Sequence, residues 1–214
     1  MTYSVKEMFL TLQGEGGQAG RAAVFCRFTG CNLWTGREED RAKATCQFCD
    51  TDFIGTDGSG GGKFENADAL ADAIASLWPD KPVSRSVPGL VVFTGGEPLL
   101  QLDTSLIDAM HQWGFKIAVE SNGTVAAPDG IDWLCISPKA GAPLEQRHGT
   151  ELKLVFPQSG LDPTTLENLD FSHFWLQPMD GPEQSANIQA AIRYCMAHPK
   201  WGLSLQTHKL TGIP

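Results

Sequence analysis

Residues 90–98 read LVVFTGGEP, an apolar run followed at once by a threonine, two glycines, a glutamate and a proline. An apolar run without alternation predicts a strand of a parallel sheet that is covered on both faces. Glycines at the carboxyl end of such a strand let a ligand approach the backbone closely. Because ligands of parallel α/β folds bind at the carboxyl ends of the strands, this stretch predicts one edge of a site. Taken alone, the same residues also fit an ordinary turn.

Six further runs have the same apolar, β-branched character, and stretches with helical periodicity lie between some of them. The runs are residues 22–28, 116–120, 133–137, 151–156, 174–177 and 203–207. A strand that alternates with a helix predicts a parallel sheet with right-handed crossovers.

Three long helices are predicted, one beginning at the N-cap Asn66 and another ending at Gly114. Residues 137–151 show no helical period, and residues 162–169 give one or two turns. This shortage of helices predicts a partial, trimmed parallel (β/α)6-type barrel in a single domain, residues 1–214. The residues expected to share one face of each helix are Leu70, Ile74, Leu77 and Trp78, then Leu106, Met110 and Trp113, then Ile188, Ile192, Cys195 and Met196.

The overall charge is acidic, with 16 Lys plus Arg against 25 Asp plus Glu and a formal net charge of −9. Binding to nucleic acid or to an anionic membrane needs clustered cations, so neither is expected as the main partner. The sequence has no apolar stretch long enough for a signal peptide or a membrane span. We therefore expect a cytoplasmic protein whose cysteines stay reduced.

Three of the six cysteines cluster in CNLWTGREEDRAKATCQFCD, residues 31–50. Cys46 and Cys49 form a C-x2-C pair, and Cys31 precedes Cys46 with fourteen residues between them. This spacing suggests a metal site, yet sites built only from protein generally use four ligands. A zinc site would need a fourth Cys or His, and the sequence has no His before His111.

Two other patterns have ordinary explanations. Cys26, Cys135 and Cys195 lie among apolar neighbours, as expected of small core side chains. The segment GTDGSGGGKF, residues 55–64, has Asp57 and Phe64 where a phosphate-binding loop needs Gly and Ser or Thr. It therefore predicts a flexible surface linker.

Six short motifs together resemble one family along most of the chain: TLQGEG (11–16), CQFCDT (46–51), TGGEP (94–98), VESNGT (119–124), SPK (137–139) and QTHK (206–209). The chain is similar to the 7-carboxy-7-deazaguanine synthase family of the radical S-adenosylmethionine superfamily. That superfamily usually has C-x3-C-x2-C, and the longer Cys31–Cys46 loop looks like a variant of this family. The resemblance implies conversion of 6-carboxy-5,6,7,8-tetrahydropterin to 7-carboxy-7-deazaguanine with release of ammonia, a step towards queuosine and other 7-deazapurines.

The resemblance also implies the cofactors and the residues that bind them. Cys31, Cys46 and Cys49 would hold a 4Fe–4S cluster, with S-adenosylmethionine as the ligand of the iron that lacks a cysteine. Thr51 would hold Mg2+ together with the substrate carboxylate. The residues implied for S-adenosylmethionine are Phe48, Asp50, Gly96, Glu120, Ser137, Lys139, Gln177, Pro178, Met179 and Asp180. Those implied for the pterin are Leu12, Gln13, Gly14, Glu15, Arg27, Thr94, Asn122, His208 and Pro214.

Several of these residues also have a plainer interpretation. Phe48 would then be a core side chain, Glu120 would be solvated, Arg27 would extend to solvent, and Thr51 would cap a turn. Pro214, six residues after His208, is expected to bring a terminal carboxylate to the pterin. A frayed, solvated end is the alternative.

The implied partners are the pterin and an electron donor such as flavodoxin or ferredoxin, and the family's usual form is a homodimer. Two other functions fit part of the sequence. One is an activase that installs a glycyl radical on a partner protein, which would need a docking surface for a protein loop. The other is a non-catalytic zinc-binding module, which would leave TGGEP and SPK without a use.

Overall fold

The structure is a computed structural model that describes residues 2–79 and 88–214. The strands are β1 (Tyr3–Leu12), β2 (Ala22–Phe28), β3 (Gly62–Phe64), β4 (Gly89–Gly95), β5 (Phe115–Ser121), β6 (Trp133–Ile136), β7 (His148–Phe156), β8 (Asp170–Pro178) and β9 (Trp201–Leu203). The helices are α1 (Ala67–Ser76), α2 (Thr104–Gln112), α3 (Gln184–Ala197) and α4 (Thr207–Thr211). The described helices include none that could span a bilayer.

The described strands form one nine-stranded sheet in the order β3-β1-β2-β4-β5-β6-β7-β8-β9. From β2 to β9 all neighbours are parallel, whereas β1 pairs antiparallel with both β2 and β3. The sheet curves without closing, so the expected trimmed α/β barrel is confirmed. The sequence analysis missed the antiparallel β1 and β3 at one end of the sheet.

The two faces of the sheet have different roles. Val24, Cys26 and Phe28 on β2 belong to the large core that lies beneath the helices. Their neighbours Ala23 and Phe25 pack in a small apolar cluster on the inner face. Because side chains alternate along a strand, polar residues further along the inner face point into the barrel.

The helix predictions are largely confirmed. The Asn66 side chain accepts a hydrogen bond from the Ala69 amide at 2.9 Å and caps α1, and the Asp103 carboxylate caps α2 in the same way. On α3, however, the buried residue is Ala191, and Met196 is 80% exposed. The expected core position of Met196 is therefore wrong, because α3 packs on the sheet through the side that carries Ala191, Tyr194 and Cys195, and Met196 lies well round the helix from Ala191.

Two boundary predictions are corrected. The expected strand 203–207 is wrong, because β9 comprises Trp201–Leu203 and α4 begins at Thr207. The glycine segment 55–64 is not a detached linker, because it runs along β1 and ends in β3. The Gly58 amide donates to the Lys6 carbonyl at 3.0 Å, and the Met8 amide donates to the Ser59 carbonyl at 2.7 Å. A Cβ on Gly58, Gly60 or Gly61 would meet the backbone of β1.

The loop between β1 and β2 contacts the opposite end of the sheet. The Gly16 amide donates to the Ser204 hydroxyl just after β9 at 2.9 Å. The Gly17 amide donates to the Glu151 carboxylate on β7 at 2.8 Å. The carbonyl of Gly14 accepts a hydrogen bond from the Thr207 amide at 3.0 Å. This loop and α4 therefore cover the side of the barrel that the open sheet leaves uncovered.

Candidate functional site

A cavity of about 380 Å³ lies at the carboxyl ends of the parallel strands. Every candidate residue named from the sequence lines it except Cys31. The cavity has two parts, defined here by the residues that dominate them. The thiol half contains Cys46, Cys49, Gly96, Ser137 and Lys139, with Cys31 beside it, and the carboxylate half contains Gln13, Glu15, Arg27, Glu120 and Lys153.

The three clustered cysteines are all free thiols at one rim of the barrel. Cys46 is buried, and a hydrogen bond from Cys46 lowers the pKa of Cys49 to about 6. Cys31 faces a neighbouring surface depression lined by residues 31–35 and 43–45 and by Asp40, instead of the main cavity. Its Cβ nevertheless lies against Gly96, which does line the cavity.

The three sulfurs of the clustered cysteines are not all close together. Four thiolates around one zinc ion would lie roughly 3.8 Å apart, given a zinc–sulfur distance of about 2.3 Å. Among the described residues, the one group of three ligating side chains whose donor atoms all lie within 4.8 Å of one another is Glu120, Cys135 and Glu151. At least one pair of the clustered sulfurs is therefore more than 4.8 Å apart, although Cys46 and Cys49 are within hydrogen-bond reach of each other. One zinc ion would bring all three sulfurs closer together than this, whereas an iron–sulfur cluster accommodates the wider pair.

The long loop between Cys31 and Cys46 is held by one arginine. Arg41 stacks over the ring of Trp34 with its guanidinium carbon 4.0 Å from the ring centre. Its Nη1 donates to the carbonyls of Gln47 and Cys49 at 2.9 and 3.0 Å. Trp34 is itself buried against Phe53. The insertion thus has a small core of its own, which fixes the C-x2-C turn although Cys31 is distant in sequence.

The glycines of TGGEP are required by the neighbouring chain. A Cβ on Gly95 would collide with the backbone of Phe28, and a Cβ on Gly96 would collide with the Gly30 carbonyl and with Cys31. The Glu97 amide also donates to the Gly30 carbonyl at 2.9 Å. The glycines were predicted to let a ligand approach the backbone closely. In the structure, the chain that approaches them closely is the turn that carries Cys31.

Glu97 is completely buried and joins the ends of two strands. Its carboxylate accepts hydrogen bonds from the Leu99 amide, the Ser121 hydroxyl and the Asn122 amide at 2.8–3.0 Å. Burial raises the pKa of Glu97, which these hydrogen bonds oppose. Glu97 therefore fixes the loop after β4 against the end of β5.

Lys139 is the cation of the thiol half. Its Nζ donates to the carbonyl and the hydroxyl of Ser137 at 2.7 and 2.6 Å and lies 5.9 Å from the centre of the Phe48 ring. Burial lowers the pKa of Lys139, and its charge interaction with Cys46 opposes this change. Phe48 is half-buried at the cavity wall, so it is not a core side chain.

The wall near the end of β8 contains an unused acceptor. The Oε1 atom of Gln177 is buried and has no hydrogen-bond partner within the described part of the chain. Pro178, Met179 and Asp180 follow it along the same wall. A buried acceptor without a partner is costly, so this wall fits a ligand that brings a donor.

The carboxylate half contains a buried ion-pair network that sequence reasoning missed. Lys153 Nζ lies 2.6 Å from Glu15 Oε2 and 2.8 Å from Glu120 Oε2. The second oxygen of Glu120 accepts a hydrogen bond from Gln13, and that of Glu15 accepts one from Gln206. Glu120 is therefore paired and not merely solvated. The sequence did contain a sign of this network: Lys153 is a charged residue inside the apolar strand ELKLVF, as Arg27 is in its own strand.

Arg27 and Asn122 also have partners. Arg27 Nε donates to Glu7 Oε1 at 2.8 Å across the β1–β2 pair, so its side chain does not extend freely into solvent. Asn122 is buried, and its Nδ2 donates to Asn32 Oδ1, next to Cys31, at 3.0 Å. The alternative in which Arg27 extends into solvent is therefore wrong.

The C-terminal helix α4 contacts both halves. A Cβ on Gly14 would collide with the ring of His208, so the two motifs TLQGEG and QTHK pack directly together. Lys209 Nζ lies 2.6 Å from Asp50 beside the cysteines and 2.6 Å from Asp180 after β8. Lys209 was not among the candidate residues, although it belongs to a motif that was.

Thr51, Thr94, Leu12 and Pro214 complete the cavity wall. The turn after Thr51 is capped by Asp52, whose Oδ1 accepts a hydrogen bond from the Ile54 amide at 3.0 Å. Thr51 therefore does not have the capping role considered as the alternative. The Pro214 carbonyl oxygen accepts a hydrogen bond from the Thr11 hydroxyl at 3.0 Å.

Comparisons with known proteins agree with this arrangement. A scan against models of protein families found no match. Proteins named 7-carboxy-7-deazaguanine synthase from Caulobacter vibrioides and Bordetella pertussis are 64% and 63% identical to this chain over 214 residues, which is the full length of each. The crystal structure of QueE from Escherichia coli matches with a TM-score of 0.69 at 26% identity and covers 96% of this chain and 94% of its own.

Proposed function

The chain belongs to the 7-carboxy-7-deazaguanine synthase family, and from this membership we propose how its cavity is used. The protein is a radical S-adenosylmethionine lyase that converts 6-carboxy-5,6,7,8-tetrahydropterin to 7-carboxy-7-deazaguanine with loss of ammonia. This reaction belongs to the biosynthesis of queuosine and other 7-deazapurines. The observation that carries the conclusion is the full-length identity of 64% to a protein of that name. Neither a glycyl-radical activase nor a zinc-binding module would account for this full-length identity.

Cys31, Cys46 and Cys49 would hold the 4Fe–4S cluster. The assignment is supported by Cys46 and Cys49 lining one cavity with Gly96 and by Cys31 packing directly against Gly96. When bound and reduced, the cluster and S-adenosylmethionine would supply the radical chemistry that hydrogen abstraction at carbon 6 of the pterin requires. The protein's part is to fix the thiols, to orient both ligands and to exclude water.

S-adenosylmethionine would lie along the thiol half. Phe48 offers a ring face to adenine, and Gly96 offers backbone polar groups to the methionyl end. Lys139 and Ser137 present an ammonium and a hydroxyl at the end of β6. Gln177, whose buried Oε1 lacks a partner among the described residues, would accept a hydrogen bond from the adenine. The remaining wall residues assigned to this ligand are Asp50, Glu120, Pro178, Met179 and Asp180.

The pterin would occupy the carboxylate half. Glu15 supplies oxygen acceptors, and Arg27 supplies guanidinium donors for a carboxylate. Thr51 would hold Mg2+ together with the pterin carboxylate, since its hydroxyl is not used to cap the following turn. The other residues assigned to the pterin are Leu12, Gln13, Gly14, Thr94, Asn122, His208 and Pro214.

The wider setting follows from the same chemistry. We propose that the chain acts as one domain and as a homodimer, and that an electron donor such as flavodoxin or ferredoxin reduces the cluster. Free thiols persist in a reducing compartment, which supports a cytoplasmic location. A small pterin is consistent with the formal net charge of −9, which disfavours nucleic acid as a partner.

Anaerobic reconstitution tests the function directly. The protein is loaded with iron and sulfide, reduced, and given S-adenosylmethionine, Mg2+ and the carboxytetrahydropterin. We expect 7-carboxy-7-deazaguanine and ammonia in equal amounts by mass spectrometry and an ammonia assay. A reconstituted, reduced protein that cleaves S-adenosylmethionine without forming this product would contradict the substrate assignment.

A further inference from the structure

Lys153 is a buried lysine to which no family motif assigns a role. It lies on the inner face of β7, and its side chain is 5% exposed. Its ammonium bridges Glu15 in the loop after β1 and Glu120 near the end of β5, at 2.6 and 2.8 Å. One cation therefore joins two carboxylates whose positions in the sequence are more than a hundred residues apart.

The remaining oxygens of both carboxylates are also fixed. Glu15 Oε1 accepts a hydrogen bond from Gln206 Nε2 at 3.0 Å. Glu120 Oε1 accepts one from Gln13 Nε2 at 3.1 Å. Each carboxylate is thus held between the shared ammonium and one amide, and this leaves little freedom to rotate. A site prepared in this way loses less entropy when a ligand binds.

The charges in this network do not balance, because two carboxylates face one ammonium. Burial alone would raise the pKa of Glu15, but Lys153 holds it below its ordinary value. Burial raises the pKa of Glu120, and Lys153 opposes that shift. The other titratable groups that act on the trio are Glu151 on β7, Cys135 on β6, Lys139 after β6 and His208 on α4.

We propose that Lys153 is a positioning residue for the pterin: it holds Glu15 towards the ring edge that carries amino and N–H donors, and it ties Glu15 to Glu120, the carboxylate assigned to S-adenosylmethionine, so that the network keeps one unneutralised negative charge between the two ligands. The inference rests on the proposed function, because it takes the pterin as the ligand. A carboxylate that accepts from such donors makes charge-assisted hydrogen bonds. A ring that lacks those donors would leave a buried carboxylate unpaired and would be rejected.

The test compares three variants at one position. Lys153→Met removes the charge, Lys153→Gln removes it but keeps a hydrogen-bond donor, and Lys153→Arg keeps the charge. Lys116→Met is the matched control, because Lys116 is an exposed lysine on β5 paired with Asp132. Equilibrium binding of the pterin to unreduced enzyme is measured from about pH 6 to about pH 9, with cluster content and S-adenosylmethionine affinity as further readouts.

We expect Lys153→Met to weaken pterin binding by at least about tenfold at neutral pH, because the carboxylates lose a buried charged partner. Without the lysine, burial raises the pKa of both carboxyl groups unopposed, so the pair binds a proton more readily and pterin binding should strengthen as the pH rises. Wild type and Lys116→Met should show no such dependence. Lys153→Arg should keep the pH-independent profile with intermediate affinity, and cluster content should be unchanged throughout.

The inference is overturned if Lys153→Met binds the pterin as wild type does, or if its weaker binding does not depend on pH. If Lys153→Met does not fold, Lys153→Gln is tested in its place, and the same two results would overturn the inference. A wild-type enzyme that makes no 7-carboxy-7-deazaguanine would instead contradict the proposed function. The two failures are therefore distinguishable.

Discussion

The thiol half and the carboxylate half of the cavity are held in shape by different kinds of contact. In the thiol half the contacts involve the backbone: Gly96 packs on the Gly30 carbonyl, Glu97 accepts from two amides, and Arg41 donates to two carbonyls. In the carboxylate half they are ion pairs between side chains, centred on Lys153. Backbone contacts restrict residue size, whereas ion pairs restrict charge. Substitutions should therefore affect the two halves in different ways.

The largest effect is expected at the three cysteines of the thiol half. Replacing Cys31, Cys46 or Cys49 by Ala should abolish the absorption of the 4Fe–4S cluster and all product formation, because no other described thiol lies at that rim. Absorption spectra and iron and sulfide analysis after reconstitution measure this. Cys26→Ala is the control and should retain both the cluster absorption and product formation, since Cys26 is completely buried in the core beneath the helices. A full cluster and full activity in Cys31→Ala would exclude Cys31 as a ligand.

A large effect is also expected from adding one methyl group to Gly96. The new Cβ would collide with the Gly30 carbonyl and with Cys31. Overpacking of this kind costs about 1–3 kcal/mol of folding stability. Relieving the collision moves the backbone that would face the ligand, so S-adenosylmethionine should bind at least about tenfold more weakly. Equilibrium binding to the reconstituted protein measures this loss, while pterin affinity should change little.

Gly62→Ala is the control for that size effect, because a Cβ there meets only the Phe64 ring at an ordinary 3.8 Å. If Gly96→Ala and Gly62→Ala both bind S-adenosylmethionine as wild type does, backbone packing does not shape the thiol half.

Thr51 lies where the two halves meet, and its effect should be intermediate. Thr51→Val removes the hydroxyl proposed to bind Mg2+, and losing one interaction with a charged group costs about 1.5 kcal/mol. The KM for the pterin should rise about tenfold, and the activation of chelator-treated enzyme by Mg2+ should disappear. Steady-state kinetics with and without Mg2+ test this.

Cluster content and S-adenosylmethionine affinity should stay unchanged in Thr51→Val. Thr45→Val, which removes an exposed hydroxyl in the same loop, should respond to Mg2+ like wild type. A wild-type enzyme indifferent to Mg2+, or a Thr51→Val variant that still responds, would show that Thr51 is not a metal ligand.

The smallest effect is expected at Lys209, which ties α4 to both halves through Asp50 and Asp180. Its side chain is 31% exposed, so solvent screening limits each pair to about 1 kcal/mol or less. Lys209→Met should therefore raise the KM for the pterin less than about tenfold and leave kcat unchanged. Lys63→Met, which removes an exposed lysine on β3, should behave as wild type. A loss of kcat in Lys209→Met would mean that the pairs do more than hold the helix.

The sequence predicts the parallel strands and most of the cavity wall because both depend on local pattern. Residues 90–98 show a buried strand and its glycine turn in one stretch, and the structure contains both. The antiparallel strands β1 and β3 were missed because their pairing joins distant residues, Tyr3 with Phe64 for example, and leaves no local period. Met196 was misplaced because helical spacing identifies faces without showing which one meets the sheet.

The same limit applies to the site. Residues within short motifs could be assigned, and those assignments stay predictions although nearly all of them line one cavity. Lys153 was missed because its partners, Glu15 and Glu120, come from other elements. The pairing of Arg27 with Glu7 depends on the β1–β2 register, which no sequence motif encodes.

The order of the strands has a consequence for association between molecules. As far as the described residues go, the two edges of the sheet are β3 and β9, each only three residues long. An exposed edge is a template for pairing with another chain, and short edges blunt that hazard. Three residues offer an incoming strand only about two or three backbone hydrogen bonds. Two copies of this protein therefore gain little by joining their sheets, and any stable contact between them must come from complementary side-chain surfaces.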